Sequence, residues 1–319
     1  GLTQMLSTVT TEAFIFKTWE EYKSYRSPQP MIDYTARWLL THIPPEGEPR
    51  LVHNDFRNGN LMVTSAGINA VLDWEVAHLG DPVRDIGWIC TNSWRFGRTE
   101  KRVGGFGCLE DLLDGYEMES GIRIDPAHVH FWEVFGSFWW SVGCLKMADR
   151  WRNGPDPTVE RPGVARRNSE CQADCVNLLI PGSVEMVEES EPVSSQDAPR
   201  IDELLMSVRD FLREDMRGAT QGRASFMALV ASNSLDIVLR ELRLSPQALL
   251  SETERLKQLL GCEGKVMALR WKLTQALRDG DLSLDHPGLI AHLRTTVINQ
   301  LAIDQPRYSA LATALSNKD

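Results

Sequence analysis

Residues 51–63 read LVHNDFRNGNLMV and residues 68–75 read INAVLDWE. An apolar strand ending at Val52 delivers His53 and Asp55 to a loop that Asn60 closes. A β-hairpin then runs out over residues 61–63 and back over 68–72, turning at Thr64-Ser65-Ala66-Gly67, and Asp73 stands just past the return strand. Pairing of the hairpin sets Asn60 beside Asp73. Two oxygen-bearing side chains at the open end of a hairpin can share Mg2+, which takes hard oxygen ligands and keeps waters and phosphate oxygens for the rest of its shell. Asp55 can face the same point from the loop and accept a proton from an attacking hydroxyl. Taken singly, each carboxylate reads as a turn or helix cap. Three polar residues so spaced around one hairpin read as a site.

The string HNDFRNGN, followed by LDWE and HLGDPVRDIGW, resembles the catalytic core of the kinase fold. Within it the match is to the aminoglycoside phosphotransferase and choline kinase-like family of small-molecule kinases, which carries HGDxxxxN and then a strand-borne Asp. Asn54 stands where the family has Gly, and Asn is the best other choice for left-handed backbone. The resemblance implies Asp55 as the catalytic residue that orients an acceptor hydroxyl and Asn60 and Asp73 as the metal ligands. It places His53 in the catalytic set as a loop-ordering residue rather than a proton shuttle, Arg57 on the cofactor side, and Asp85 on the loop backbone. Asp81 reads as the N-cap of the next helix. Glu75 reads equally as support for the metal and as an exposed residue. The DFR-x-GN string around Arg57 looks most like the branch found fused to, or encoded beside, acyl-CoA dehydrogenases. That branch implies a small-molecule hydroxyl substrate, with hydroxyacyl thioesters as the class, and an acyl-CoA dehydrogenase as partner. The run VGGFG at 103–107 connects no strand to a helix, so it reads as a turn and not as a phosphate-binding loop.

In this family ATP is covered by an N-terminal lobe with a glycine-rich strand pair and a strand Lys. Only 54 residues precede Asp55, helical in pattern and with Lys17 and Lys23 as their lysines. The resemblance therefore covers roughly residues 12–180 and the C-terminal lobe alone. One reading is an ATP- and Mg2+-dependent phosphotransferase present as a fragment without its nucleotide-binding lobe and inactive in isolation. The other is a non-catalytic kinase-like binding or assembly module. Residues 199–316, with DELLMSVRDFLREDM and FMALVASNSLDIVLREL, resemble a helical domain of unknown function found with these phosphotransferases.

The elements that must position the loop follow from periodicity. Residues 12–42 read as two helices broken at Ser27 to Pro30; Asp81-Pro82 starts a helix that turns Val83, Ile86, Ile89 and Cys90 inward; further helices span 109–119 and 126–151. The last of these aligns Phe131, Val134, Phe135, Phe138, Val142 and Leu145 on a core stripe. Residues 183–199 hold five acidic residues, two prolines and no Lys or Arg, the composition of a solvated linker. Helical runs follow at 201–212, 226–244, 248–260 and 265–277. Arg209, Arg213, Arg240 and Arg243 fall at the spacing of solvated helix faces, and His286 and His292 read as isolated. The fold class expected is α+β, mostly α: a kinase-like C-terminal lobe with a small hairpin over 1–182, an acidic linker, and an all-α bundle over 200–319.

A chain of 319 residues with 42% hydrophobic side chains has material for two cores. With 44 acidic against 34 basic residues its charge of −10 offers nucleic acid no global attraction. The longest uncharged apolar run, 134–145, is shorter than a membrane span, and no basic stretch precedes an apolar core at the N-terminus, so no membrane association is expected. Six scattered cysteines fit a reducing cytoplasm, with Cys171 and Cys175 as small buried hydrophobes.

Overall fold

The computed structural model describes residues 6–192 and 198–316. Residues 193–197 of the expected linker, and the chain ends at 1–5 and 317–319, lie outside the described residues. The chain packs as two compact units, the first running to Ser24 and then over Ile32–Trp140, the second taking Tyr25–Met31 and the chain from Ser141 onward.

In the first unit, α1 (Thr11–Ser24) buries Ile15, Trp19 and Tyr22. The buried carboxylate of Asp33, on α2 (Pro30–Thr41), accepts from Trp19 Nε1 at 2.8 Å and Tyr22 Oη at 2.9 Å. Strand β1 (Arg50–Val52) pairs antiparallel with β4 (His78–Gly80), and the hairpin β2 (Leu61–Thr64) and β3 (Gly67–Val71) is inserted between them. Helices α3 (Val83–Cys90), α4 (Leu109–Ser120) and α5 (Pro126–Asn153) complete the set, at the positions expected from their apolar spacing. Of the α5 stripe, Phe131, Val134, Phe135 and Phe138 are buried. Close approach of α3 to α5 depends on Gly87: a Cβ there would lie 2.7 Å from the Trp132 carbonyl carbon and 2.9 Å from the Glu133 nitrogen.

The second unit continues α5 from Ser141 and adds α6 (Glu160–Arg166), α7 (Asn168–Leu179), α8 (Ile201–Asp210), the single turn α9 (Arg217–Ala219), α10 (Gly222–Leu260), α11 (Val266–Asp279), α12 (Pro287–Asp304) and α13 (Ser309–Ser316). A π-helical turn, Phe211–Met216, joins α8 to α9. Several expectations are corrected here. The runs 226–244 and 248–260 are one helix of 39 residues that passes through Pro246, because α8, α11 and α12 pack along its length and offset the lost hydrogen bond. The two units divide within α5, after Trp140, and α7 packs against α12 in the second unit. Over its described residues, 183–192, the acidic segment is held by hydrogen bonds while Glu185, Glu188, Glu189 and Glu191 stay exposed. Val187 N donates to Asn299 Oδ1, Asn299 Nδ2 donates to the Glu185 carbonyl, and Ser190 N donates to the Arg243 carbonyl, each at 2.9 Å.

The arginines of the bundle are engaged too. Arg209 and Arg213 pair with Asp236, and Arg240 donates to the carbonyls of Ile303 and Asp304, closing the C-terminal end of α12 where carbonyls lack helical partners. His286 caps the other end, its Nδ1 accepting from Gly288 N and Leu289 N with Pro287 in the first turn. Among the described residues, no helix is long and apolar enough to cross a membrane.

Candidate active site

The first unit brings the sequence-predicted residues to one loop. Chain direction changes sharply at Asn54 and at Asp73, both left-handed, with φ of 68° and 63°. The Asn54-for-Gly exchange is therefore accommodated in the conformation Asn tolerates best among residues with a side chain. Two anchors hold the turn at Asn54. Asp85, on the first turn of α3, accepts from His53 N and Asn54 N at 2.7 Å each, the role the resemblance implied for it. Burial pushes the Asp85 carboxyl above its ordinary value, opposed by those two N–H groups and by Arg84.

His53 is buried and works inside the loop. Its Nδ1 accepts from Asp55 N at 3.1 Å, so Nε2 carries the proton and donates to the Leu72 carbonyl at 2.7 Å. This spans loop and return strand, with the Trp74 ring edge-on at 4.5 Å. A histidine with both nitrogens committed orders the loop and relays no proton.

Asp55 is the convergence point. Oδ1 accepts from Arg57 Nε at 3.1 Å and Trp88 Nε1 at 2.9 Å, and Oδ2 accepts from Asn60 Nδ2 at 2.7 Å. A carboxylate offers about four acceptor positions. Three are filled, two on Oδ1 and one on Oδ2, and the one that remains is on Oδ2. The side chain is thus fixed in orientation with a single direction left for a further donor. Arg57, expected on the cofactor side, is engaged within the loop: besides Asp55 it lies 4.6 Å from the Trp94 ring centre.

Asn60 is buried, and its amide nitrogen is spent on Asp55, to the carbonyl at 2.9 Å as well as to the carboxylate. That commitment turns Oδ1 into its available atom. Register places Leu61 opposite Val71 and bonds Leu72 N to the Asn60 carbonyl at 2.9 Å, so Asp73 follows one residue beyond Asn60's partner. Asp73 is exposed and makes no side-chain hydrogen bond among the described residues. One amide oxygen and one unpaired carboxylate are the hard donors Mg2+ takes, and they fit it as a two-residue site completed by water and phosphate oxygens. No group of three His, Cys, Asp or Glu able to hold a metal occurs among the described residues. Glu75 is exposed.

Residues the sequence reading did not single out support this loop. Trp88 lies on α3 one turn after Asp85, which sets both toward the loop. It meets Trp94 at 5.1 Å and Trp139 at 5.0 Å, both edge to face. Arg84 is fully buried under Trp88, Phe135 and Trp139, with the guanidinium 4.7–5.1 Å from their centres and without hydrogen-bonded nitrogens. Burial pulls its pKa down to about 9, so it remains a cation at neutral pH behind Asp85 and Asp55. Asp81 caps α3 through Val83 N at 3.0 Å and accepts from Trp132 at 2.8 Å and from His128. Burial works against its charge, but these donors hold its carboxyl below the usual range. The VGGFG segment is a turn, closed by a Val103–Gly107 bridge, and its Gly104 carbonyl receives Asn58 Nδ2 at 2.9 Å, bracing the loop from below.

A family model described as phosphotransferase enzyme family matches residues 6–120, and a domain of unknown function (DUF6285) matches residues 218–308. Acyl-CoA dehydrogenase family member 10 of Mus musculus is 39% identical over 80 residues, 23% of this chain and 7% of that protein. Acyl-CoA dehydrogenase family member 11 of Gallus gallus is 39% identical over 124 residues, 34% of this chain and 16% of that one. The chain thus spans only a small part of the length of either relative. A crystal structure from Ralstonia eutropha, described as a candidate aminoglycoside phosphotransferase, shares 25% identity over 50% of this chain and 52% of its own, with a TM-score of 0.43.

Proposed function

We propose, from the match of residues 6–120 to the phosphotransferase enzyme family, that the chain carries the acceptor- and metal-handling half of an ATP- and Mg2+-dependent kinase acting on a hydroxyl of a small organic molecule. The observation that carries the reading is the hydrogen-bond accounting at Asp55: three donors fix the carboxylate and leave one acceptor position on Oδ2. An acceptor hydroxyl bound there donates to Oδ2, which aims its lone pair away from Asp55 and takes the proton as the oxygen attacks phosphorus. Arg57, Trp88 and Asn60 hold the carboxylate still, so orientation is set before the hydroxyl arrives. Asn60 Oδ1 and Asp73 would hold Mg2+, which when bound neutralises phosphate charge. The dehydrogenase-family relatives favour hydroxyacyl thioesters as the acceptor class and an acyl-CoA dehydrogenase as the partner in sequence or in space.

The test is γ-phosphate transfer from Mg·ATP to a hydroxyacyl-CoA by the full-length protein. Asp55→Asn should lower kcat by at least about 100-fold with little change in the KM for ATP, since the residue faces the acceptor. Asp73→Asn should raise the Mg2+ requirement and the KM for ATP as well as lower kcat. Small and equal effects of the two substitutions would refute the assigned roles.

A further inference from the structure

The second unit contains a partly open cavity of about 470 Å³, within the size range of small-molecule sites. It is independent of the phosphoryl-transfer reading, because no residue of the catalytic loop lines it. One wall is the polar ladder His292, Thr296, Gln300 and Asp304, spaced four residues apart along one face of α12.

Where the lining is buried its charges are already matched, while Arg152, on the exposed rim, has no ion pair among the described residues. Glu252 is gripped by Arg270 through two bonds of 2.6 and 2.5 Å. Arg166 holds Asp304 at 2.7 Å and Glu241 at 2.8 Å, while Arg240 covers the same end of α12 from the backbone side. An ion entering here would shed its hydration and meet no unpaired opposite charge among these groups. Inside that rim, what remains for a ligand is neutral. His292, 1% exposed, has an Nδ1 with no hydrogen-bonding partner among the described residues. Thr296 accepts from Arg255 and keeps its own proton to donate. Imidazole, hydroxyl and amide groups both donate and accept, which is the pattern an alcohol presents in return. Beside them, Met31, Leu293, Val297 and the Trp151 ring supply apolar surface suited to the C–H face of a compact ring.

We propose that this cavity is a binding site for an uncharged, hydroxyl-rich small molecule. The probes are glucose and myo-inositol, with glucosamine and glucose 6-phosphate as cationic and anionic counterparts of the same skeleton, in saturation-transfer NMR on the full chain. Saturable transfer to the two neutral probes is expected, with at least tenfold weaker transfer to the charged ones. Ala148→Phe and Ala165→Phe, which add a ring to the cavity lining from α5 and α6, should each weaken neutral-probe binding at least tenfold. Thr296→Val, which removes one hydroxyl without adding volume, should weaken it a few fold. Thermal melts by circular dichroism select the variants that fold as the parent does. The proposal is overturned if neither neutral probe receives saturation, if a charged probe binds more tightly, or if the variants that fold bind as the unchanged chain does.

Discussion

Acid should loosen the second unit through one residue, His292. It is buried on α12, with Arg255 and Arg270 nearby, and burial followed by those two cations lowers its pKa from 6.5 to about 3. The unfolded chain takes up a proton near pH 6.5 while the folded unit refuses it until about pH 3, so between these values the unfolded state binds more protons. Stability from this residue is therefore whole above pH 6.5 and lost as pH falls through the window. Integrating the difference gives a loss of about 2 kcal/mol at pH 5 and about 3 kcal/mol at pH 4. The measurement is hydrogen exchange of the α12 amides across a urea series at pH 7 and pH 5, with intrinsic rates corrected for pH. His292→Leu removes the titrating group and the unpartnered Nδ1 together, so its pH 7 to pH 5 loss should be smaller than that of the parent by about 2 kcal/mol. Other histidines cancel in that subtraction. An equal loss in both proteins would show that His292 is protonated in the folded unit as readily as in water, and the burial argument would fail.

Two further substitutions test the first unit. Gly87→Ala places a methyl against the Trp132 and Glu133 backbone of α5, which cannot rotate away as a side chain could; a destabilisation of about 2–3 kcal/mol is expected in thermal or denaturant melts, and a loss under about 0.5 kcal/mol would mean that the helices have room to part. Trp88→Phe keeps the ring packing but removes one of the two donors to Asp55 Oδ1; kcat for phosphoryl transfer should fall about tenfold, about 1.4 kcal/mol, with the KM for ATP unchanged, and an unchanged kcat would remove Trp88 from the set that positions Asp55.

How much of this was legible in sequence depends on whether a local pattern has one structural meaning. The hairpin did: two short apolar runs around Thr64-Ser65-Ala66-Gly67 gave strands whose observed bounds, Leu61–Thr64 and Gly67–Val71, differ by a residue or so at each end. Its register then fixed Asn60 and Asp73 near each other. Asp85 was legible by motif spacing. Trp88 was not, because a Trp on the inward face of a short helix reads as core, and nothing local shows that its indole N–H reaches a carboxylate 33 positions away. Pairing of β1 with β4 escaped for a related reason. Each is three residues long, and the partners are joined only through the inserted hairpin. The bonds that tie the acidic segment to Asn299 and Arg243 were not legible, because they are made by the segment's backbone and composition describes only its charge.

The helix α12, which no apolar stripe marks in the sequence, and the cavity have one physical origin. Leu289, Leu293, Val297, Ile298, Leu301 and Ile303 bury this helix from several sides, so no single apolar stripe marks it. His292, Thr296, Gln300 and Asp304 share a face that periodicity would assign to solvent, yet His292 and Asp304 are 1% and 3% exposed. Such a face survives burial only if other elements serve it. Arg166 from α6, Arg255 from α10 and the Gln300 amide from α12 itself do so for Asp304 and Thr296. His292 is the rung left without a hydrogen-bonding partner for its Nδ1 among the described residues. A helix that buries polar residues at His292 and Asp304, and leaves one of its polar groups unmet beside a partly open cavity, gives up stability at that position. That is the pattern expected where a fold retains a site rather than an optimised core.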